Sequence, residues 1–143
     1  MPCNSAICTG NSSIQALAAN SQIPFGSVAR RFGQSIRLEG ESITLCGSGY
    51  YDVRISCSVP AATTDDVTIQ LYQDGDAVPF ASATETPAVA GDFVNLDICT
   101  MVRNCGKACN SVISVQVNQA VNAGGNMSAV VRKVQGELRR WCQ

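Results

Sequence analysis

The chain has 143 residues, of which 45 % are hydrophobic and 15 % charged, which is long enough for one domain with a core and too apolar for disorder. Its net charge of −1 gives no general attraction to nucleic acid or to an anionic membrane, and we expect neither as a partner. The absence of histidine excludes Ser-His and Cys-His relays and His-ligated zinc, so we expect no enzyme, no catalytic residue, no metal and no cofactor.

Residues 1–22 are rich in Asn, Ser and Ala, and we interpret them as an N-terminal arm for anchoring or crosslinking rather than as part of the core. The alternative is a short helix over residues 14–19, capped by Ser12 or Ser13. The first five residues lack the basic end and the apolar stretch of a secretory signal. If Met1 is the true start, we expect the protein to be made in the cytoplasm without a signal peptide.

Short alternating strands follow over residues 23–134, which we take as one domain. In residues 50–59, side chains such as Tyr51, Val53 and Ile55 share one face, and this period of two predicts a strand with one buried side. The other strands are predicted at residues 23–28, 35–38, 42–45, 67–72, 77–81, 93–102, 112–117 and 127–134. Asp74-Gly75 predicts a hairpin because the turn requires positive φ. About eight antiparallel strands with short turns predict an all-β fold, an antiparallel jelly-roll sandwich.

Residues 135–143 lie beyond the last predicted strand, and we interpret them as a C-terminal tail. Arg139, Arg140 and Trp141 combine charge with an aromatic ring. We expect these three residues to dock on a neighbouring subunit or a larger assembly. The alternative is a loose tail without a contact.

Eight cysteines are candidates for disulfides or crosslinks, a density typical of proteins that function in an oxidising setting. They are Cys3, Cys8, Cys46, Cys57, Cys99, Cys105, Cys109 and Cys142. Cys57 shares the apolar face of its strand, so it is either a buried hydrophobe or an internal bridge partner. Free thiols are the alternative elsewhere, and zinc at Cys99, Cys105 and Cys109 is disfavoured because no second closely spaced pair follows.

Carboxylates occur in pairs at Asp65-Asp66 and at Asp74 and Asp76, and both pairs fall in predicted turns. Turn formation accounts for them better than acid–base catalysis does. A calcium site at Asp74, Asp76, Glu85 and Asp92 is the alternative, although the ligand spacing of an EF-hand is absent.

Several motifs together point to a known family. They are Ile23-Pro24-Phe25-Gly26, Phe32-Gly33, Ile43-Thr44-Leu45, Gly49-Tyr50-Tyr51-Asp52-Val53 and the run from Val67 to Pro79. Over residues 23–134 the chain resembles the C1q/TNF-like jelly roll, and in particular its bacterial and phage branch, which includes the C-terminal domain of the spore-surface glycoprotein BclA. The resemblance implies a compact homotrimer displayed on an outer surface for decoration or attachment. Residues 1–22 contain no Gly-x-y collagen repeat.

We therefore expect a non-enzymatic structural protein on the virion surface, acting as a homotrimeric capsid decoration, head-fibre or attachment module of a phage. Its partners would be copies of itself, capsid or other surface-assembly proteins, and a host glycan or protein. A closed ring of subunits covers the exposed sheet edges of every copy and leaves none free for further association. We assign the trimer interface in part to Tyr50, Phe80, Phe93 and Val117. The alternative is a subunit of a spore surface or appendage, crosslinked by its terminal cysteines.

Overall fold

A computed structural model of the protein describes residues 5–104 and 110–136, which contain eleven β-strands and no helix. The strands are β1 (Ala6–Ile14), β2 (Ser21–Gln22), β3 (Ser27–Phe32), β4 (Ile36–Glu39), β5 (Ser42–Leu45), β6 (Gly49–Pro60), β7 (Val67–Gln73), β8 (Asp76–Glu85), β9 (Phe93–Asn104), β10 (Ser111–Val117) and β11 (Gly125–Gly136). Within the two described ranges, no helix has the length and apolarity needed to cross a membrane.

The strands form two antiparallel sheets whose inner faces enclose the core. A five-stranded sheet has the order β3-β1-β11-β6-β9, and a six-stranded sheet has the order β4-β5-β10-β7-β8 with β2 paired to β10. Many hydrogen-bonded neighbours, such as β1 and β11, are far apart in sequence. This arrangement of crossing connections between two packed sheets confirms the predicted jelly-roll sandwich.

Strand β6 shows why this sequence forms a sandwich. Tyr51, Val53 and Ile55 are buried between the sheets, whereas Arg54 and Ser56 lie on the solvent side. Alternate side chains of a strand point to opposite faces of the sheet, so the apolar side chains of β6 face the core and the polar ones face solvent. The structure confirms this predicted strand.

The connection between β7 and β8 is the predicted two-residue hairpin. Gln73 pairs with Asp76, and the two residues between them, Asp74 and Gly75, have φ values of 54° and 87°. Two successive positive φ values are typical of the turn whose twist matches that of the flanking strands. The side chain of Asp74 also accepts a hydrogen bond from the backbone N–H of Val112, at 2.9 Å.

The interpretation of residues 1–22 as an arm outside the core is wrong for residues 6–14. These residues form β1, an inner strand of the five-stranded sheet between β3 and β11, and Ile7 and Ile14 are buried in the core. No helix forms after Ile14; Leu17 instead exchanges two backbone hydrogen bonds with Val121, each of 3.0 Å. The polar composition of β1 concealed this strand, and its partner β11 lies near the other end of the chain. The anchoring or crosslinking role of residues 1–22 stays a prediction.

The strand predicted at residues 23–28 is also wrong as one element. Ile23 and Phe25 are buried, but the chain leaves the sheet between β2 and β3. The cause lies at Gly26, where φ is 91° and a Cβ atom would come within 2.2 Å of the carbonyl oxygen of Gly10. Only glycine fits this close crossing of two backbone segments. At the other end of the domain, β11 continues two residues past the predicted boundary at residue 134.

Candidate self-association surface

The outer face of the five-stranded sheet carries the polar series of side chains from each strand. The pairing register places one outward residue from every strand in a single row across the sheet. In order from edge to edge these residues are Arg30, Cys8, Val130, Arg54 and Cys99. The row shows that this face mixes cations, thiols and an apolar side chain rather than forming a uniformly charged surface.

The middle of this face is polar. Asp52 on β6 lies 3.4 Å from the Nε atom of Arg54 and 3.4 Å from an Nη atom of Arg132 on β11. Both guanidinium groups are more than half exposed, so each ion pair contributes at most about 1 kcal/mol to the free energy of unfolding. Their main effect is to hold two cationic side chains in place on the sheet.

Exposed apolar side chains lie along the side where the two sheets end together. Edge strands β8 and β9 pack against each other there, and the loop between them belongs to the same side. We call the exposed apolar residues of this side the β8–β9 rim; they are Phe80, Val89, Phe93 and Met101. Phe93 is 56 % exposed and Met101 54 %, which is unusual for large apolar side chains.

Phe80 is the most unusual residue of the rim. Its ring is fully exposed (101 %), and its φ of 62° is a left-handed backbone conformation that residues other than glycine rarely adopt. The pairing of β7 with β8 is irregular at this point. The side-chain amide of Gln70 donates hydrogen bonds to the carbonyl oxygens of Val78 at 2.9 Å and Ala81 at 3.2 Å, on both sides of Phe80. The fold therefore holds an exposed aromatic ring in place at a cost in backbone strain.

A second apolar patch lies toward the opposite edge of the same sheet. We call it the β3–β11 patch; its residues are Phe32, Val130 and Val134. Phe32 on edge strand β3 is 60 % exposed. Arg30 of the same strand is exposed as well, so this patch carries positive charge. Phe32 lay outside the predicted strands, whereas Met101 could have been found, because it lies on the face of its predicted strand opposite Val94, Leu96 and Ile98.

The structure separates the four residues assigned to a trimer interface. Phe80 and Phe93 lie on the β8–β9 rim and are exposed. Tyr50 is half-buried at the start of β6, with the guanidinium carbon of Arg103 5.9 Å from the centre of its ring. Val117 is wrong as an interface residue, because it is completely buried in the core of its own protomer. Its alternation with Ile113 and Val115 already placed it on the inner face.

The described cysteines have three different environments, and all are free thiols. Cys57 lies in the core, where burial, assisted by the nearby Asp97 carboxylate, raises the pKa of its thiol to about 12. Cys46 follows β5 and accepts a hydrogen bond from the Arg37 guanidinium at 3.1 Å, which raises the pKa of Arg37. Cys8 is half-buried and Cys99 exposed on the outer face of the five-stranded sheet. Only these last two are candidates for links on that face.

Several predicted site residues fall outside the part of the chain that the structure describes. They are Cys3, Cys105, Cys109, Cys142, Arg139, Arg140 and Trp141. Their assignment to crosslinks or docking stays a prediction.

Asp65 and Asp66 lie in the connection between β6 and β7 and Asp74 in the turn before β8, as predicted, whereas Asp76 is the first residue of β8. Asp66 accepts a hydrogen bond from the Thr86 hydroxyl, and Asp92 accepts one from the backbone N–H of Val89 at 3.2 Å. Among residues 5–104 and 110–136, no three cysteine or carboxylate side chains come together as a group that would hold a metal ion. Asp66, Asp74 and Asp92 each accept a hydrogen bond from within the protomer.

Comparison with known proteins shows similarity in fold without similarity in sequence. No protein-family model matches the chain, and no curated protein matches its sequence. Among solved structures, murine APRIL at pH 5.0 has a TM-score of 0.69 at 10 % identity, over 92 % of this chain and 99 % of that one. The PRD1 vertex protein P5 has a TM-score of 0.63 at 12 % identity, over 94 % of this chain and 99 % of that one.

The globular domain of the zebrafish complement 1qA protein has a TM-score of 0.63 at 11 % identity, over 94 % of this chain and 96 % of that one. At such identities the similarity identifies a common fold and no common activity. The narrower resemblance to the BclA branch stays a prediction. The structural similarity to these three proteins extends over 92–94 % of the chain, and this chain has the C1q/TNF-like jelly-roll fold.

Proposed function

We propose that this protein is a non-enzymatic, homotrimeric module on the surface of a phage virion, where it serves as a capsid decoration, head fibre or attachment module. One observation carries the proposal: exposed apolar side chains lie in two separate places, the β8–β9 rim along the β9 edge of the five-stranded sheet and the β3–β11 patch toward its β3 edge. Exposed apolar patches on a small sandwich are typical of interaction sites.

Two different patches favour a closed ring over a two-fold dimer. In a two-fold contact the same patch is used twice, whereas a head-to-tail contact joins one patch to a different one on the next copy. If the rotation between successive copies closes, the result is a ring with no exposed patch left. The number three rests on the resemblance to C1q/TNF-like domains, and the opposite-edge placement of the patches suits it.

The virion role has support of its own. The PRD1 protein with the same fold is a vertex protein, which places one such fold on a virus particle. We assign this chain a mechanical role with copies of itself and neighbouring capsid proteins as partners, and a host glycan or protein as the target of an attachment module.

The oligomeric state is tested by size-exclusion chromatography with light scattering under reducing conditions. Three copies of the 15.0 kDa chain should give a particle of about 45 kDa at micromolar concentration. A particle of one chain under these conditions contradicts the proposal. The variants Phe93→Ser and Met101→Ser should each shift the population toward one chain, whereas Val112→Ser, an exposed apolar position on the six-stranded sheet, should not.

The location is tested on particles purified from a lysate of cells that carry this sequence. Mass spectrometry should detect its peptides in the banded virion fraction at a constant ratio to the capsid protein. Detection only in a spore fraction would support the alternative of a spore-surface subunit. Binding of fluorescent trimer to a glycan array and to host cells then tests attachment.

A further inference from the structure

We propose that Cys99 of each protomer forms a disulfide bond with Cys8 of the next protomer, so that three such bonds close the homotrimer covalently. This inference rests on the proposed homotrimer. It adds a specific pair of thiols, a direction for the contact between copies and a dependence on oxidation.

A bond between these two residues within one protomer is excluded by the sheet. Cys8 lies on β1 and Cys99 on β9, and β11 and β6 run between them. Three strand spacings of about 4.8 Å separate the two Cα atoms by about 14 Å. A disulfide requires Cα atoms within about 7 Å of each other. The two thiols can therefore meet only across a contact between copies.

The surroundings of the two thiols match each other as the two sides of a head-to-tail contact would. Cys99 has Met101 and Asp97 as its outward neighbours on β9, an apolar and an acidic side chain. Cys8 pairs directly with Arg30, and Phe32 follows two residues farther along β3. Cys99 also pairs directly with Arg54, whose guanidinium forms an ion pair with Asp52 of its own protomer. Each side thus offers a thiol and a large apolar residue, and Asp97 on one side is opposite in charge to Arg30 on the other. Such complementarity favours a second copy of the chain as the occupant.

The other described thiols are less suited to a bond between subunits. Cys57 is buried in the core, and its raised pKa keeps it protonated and unreactive. Cys46 follows β5 of the other sheet, where it accepts a hydrogen bond from Arg37. Cys8 and Cys99 share one row on the outer face of the five-stranded sheet.

The bond forms by thiol–disulfide exchange with a small disulfide such as oxidised glutathione. The thiolate of Cys99 attacks one sulfur of glutathione disulfide and releases one glutathione thiolate. The thiolate of Cys8 on the next copy then attacks the protein sulfur of this mixed disulfide and releases the second glutathione. Two protein thiols are oxidised and one glutathione disulfide is reduced to two thiols, with two electrons transferred.

The test uses the full chain with Cys3→Ser, Cys46→Ser, Cys105→Ser, Cys109→Ser and Cys142→Ser, which retains Cys8, Cys57 and Cys99. The protein is treated with oxidised glutathione and separated on a denaturing gel without reductant. We expect a ladder of one, two and three linked chains that ends at three, and a Cys8–Cys99 peptide by mass spectrometry. Adding Cys8→Ser or Cys99→Ser should abolish every linked species, because each bond needs both residues.

A matched control moves one thiol to another exposed position of the same face, as Cys99→Ser with Ser56→Cys. Links in this control equal to those of the parent would overturn the proposal, since they would report random collision. Links that survive Cys8→Ser and stop at two chains would overturn it too, because they would join Cys99 to Cys99. A trimer by light scattering that oxidised glutathione never links would refute the disulfide alone, whereas a single chain in reducing buffer would refute the proposed trimer and the disulfide with it.

Discussion

Removal of the Phe80 ring should weaken self-association much more than it affects the fold. The ring is fully exposed in the protomer, so Phe80→Ala removes no contact from the core. Burying a phenylalanine side chain contributes about 2 kcal/mol, and a cyclic trimer would bury three of them, or about 6 kcal/mol per trimer. Since about 1.4 kcal/mol corresponds to a factor of ten, the trimer dissociation constant should rise by about four powers of ten.

The backbone at Phe80 provides a second, independent measurement. Its φ of 62° costs a side-chain-bearing residue about 1–2 kcal/mol, whereas glycine adopts it freely and loses about 0.5–1 kcal/mol of chain entropy instead. Phe80→Gly should therefore weaken association as much as Phe80→Ala does, while its dissociated protomer should be more stable than that of Phe80→Ala by up to about 1 kcal/mol. Light scattering over a dilution series measures the first quantity, and urea unfolding of dissociated protomers measures the second.

Val112→Ala is the matched control, because Val112 is an exposed apolar residue on the outer face of the six-stranded sheet. Its dissociation constant should equal that of the wild type. The reasoning is refuted if Phe80→Ala remains a trimer at the same concentrations as the wild type, since the ring would then lie outside the contact.

Two further predictions concern the protomer itself. Gly26→Ala should lower the free energy of unfolding by about 2–4 kcal/mol, because a Cβ atom would lie 2.2 Å from the carbonyl oxygen of Gly10 and φ is 91°. Gly40→Ala, with φ of 62° and open space around it, should cost only about 1 kcal/mol, and equal urea midpoints for the two variants would contradict the clash. Cys57 should react with iodoacetamide at pH 8 at least about a hundredfold more slowly in the native protein than in urea, because burial raises the pKa of its thiol to about 12. The folded state favours the protonated thiol, so its contribution to stability is complete below pH 9 and declines as the pH rises from 9 toward 12; native labelling as fast as in urea would contradict its burial.

Local sequence patterns were sufficient for features that depend on residues only a few positions apart. The alternation in β6 and the positive φ values at Asp74 and Gly75 follow from residue types a few positions apart. Both therefore appear in the sequence itself. The absence of histidine likewise limits the available chemistry without any structure.

The sequence by itself determined an all-β sandwich with a polar and an apolar side to most strands, because the period of two is a local property. Only the tertiary structure decided that residues 6–14 are an inner strand and that Cys8 and Cys99 share one row of an exposed face. These facts depend on pairing between strands distant in the chain, such as β1 with β11, and no local pattern encodes which distant strand becomes the neighbour.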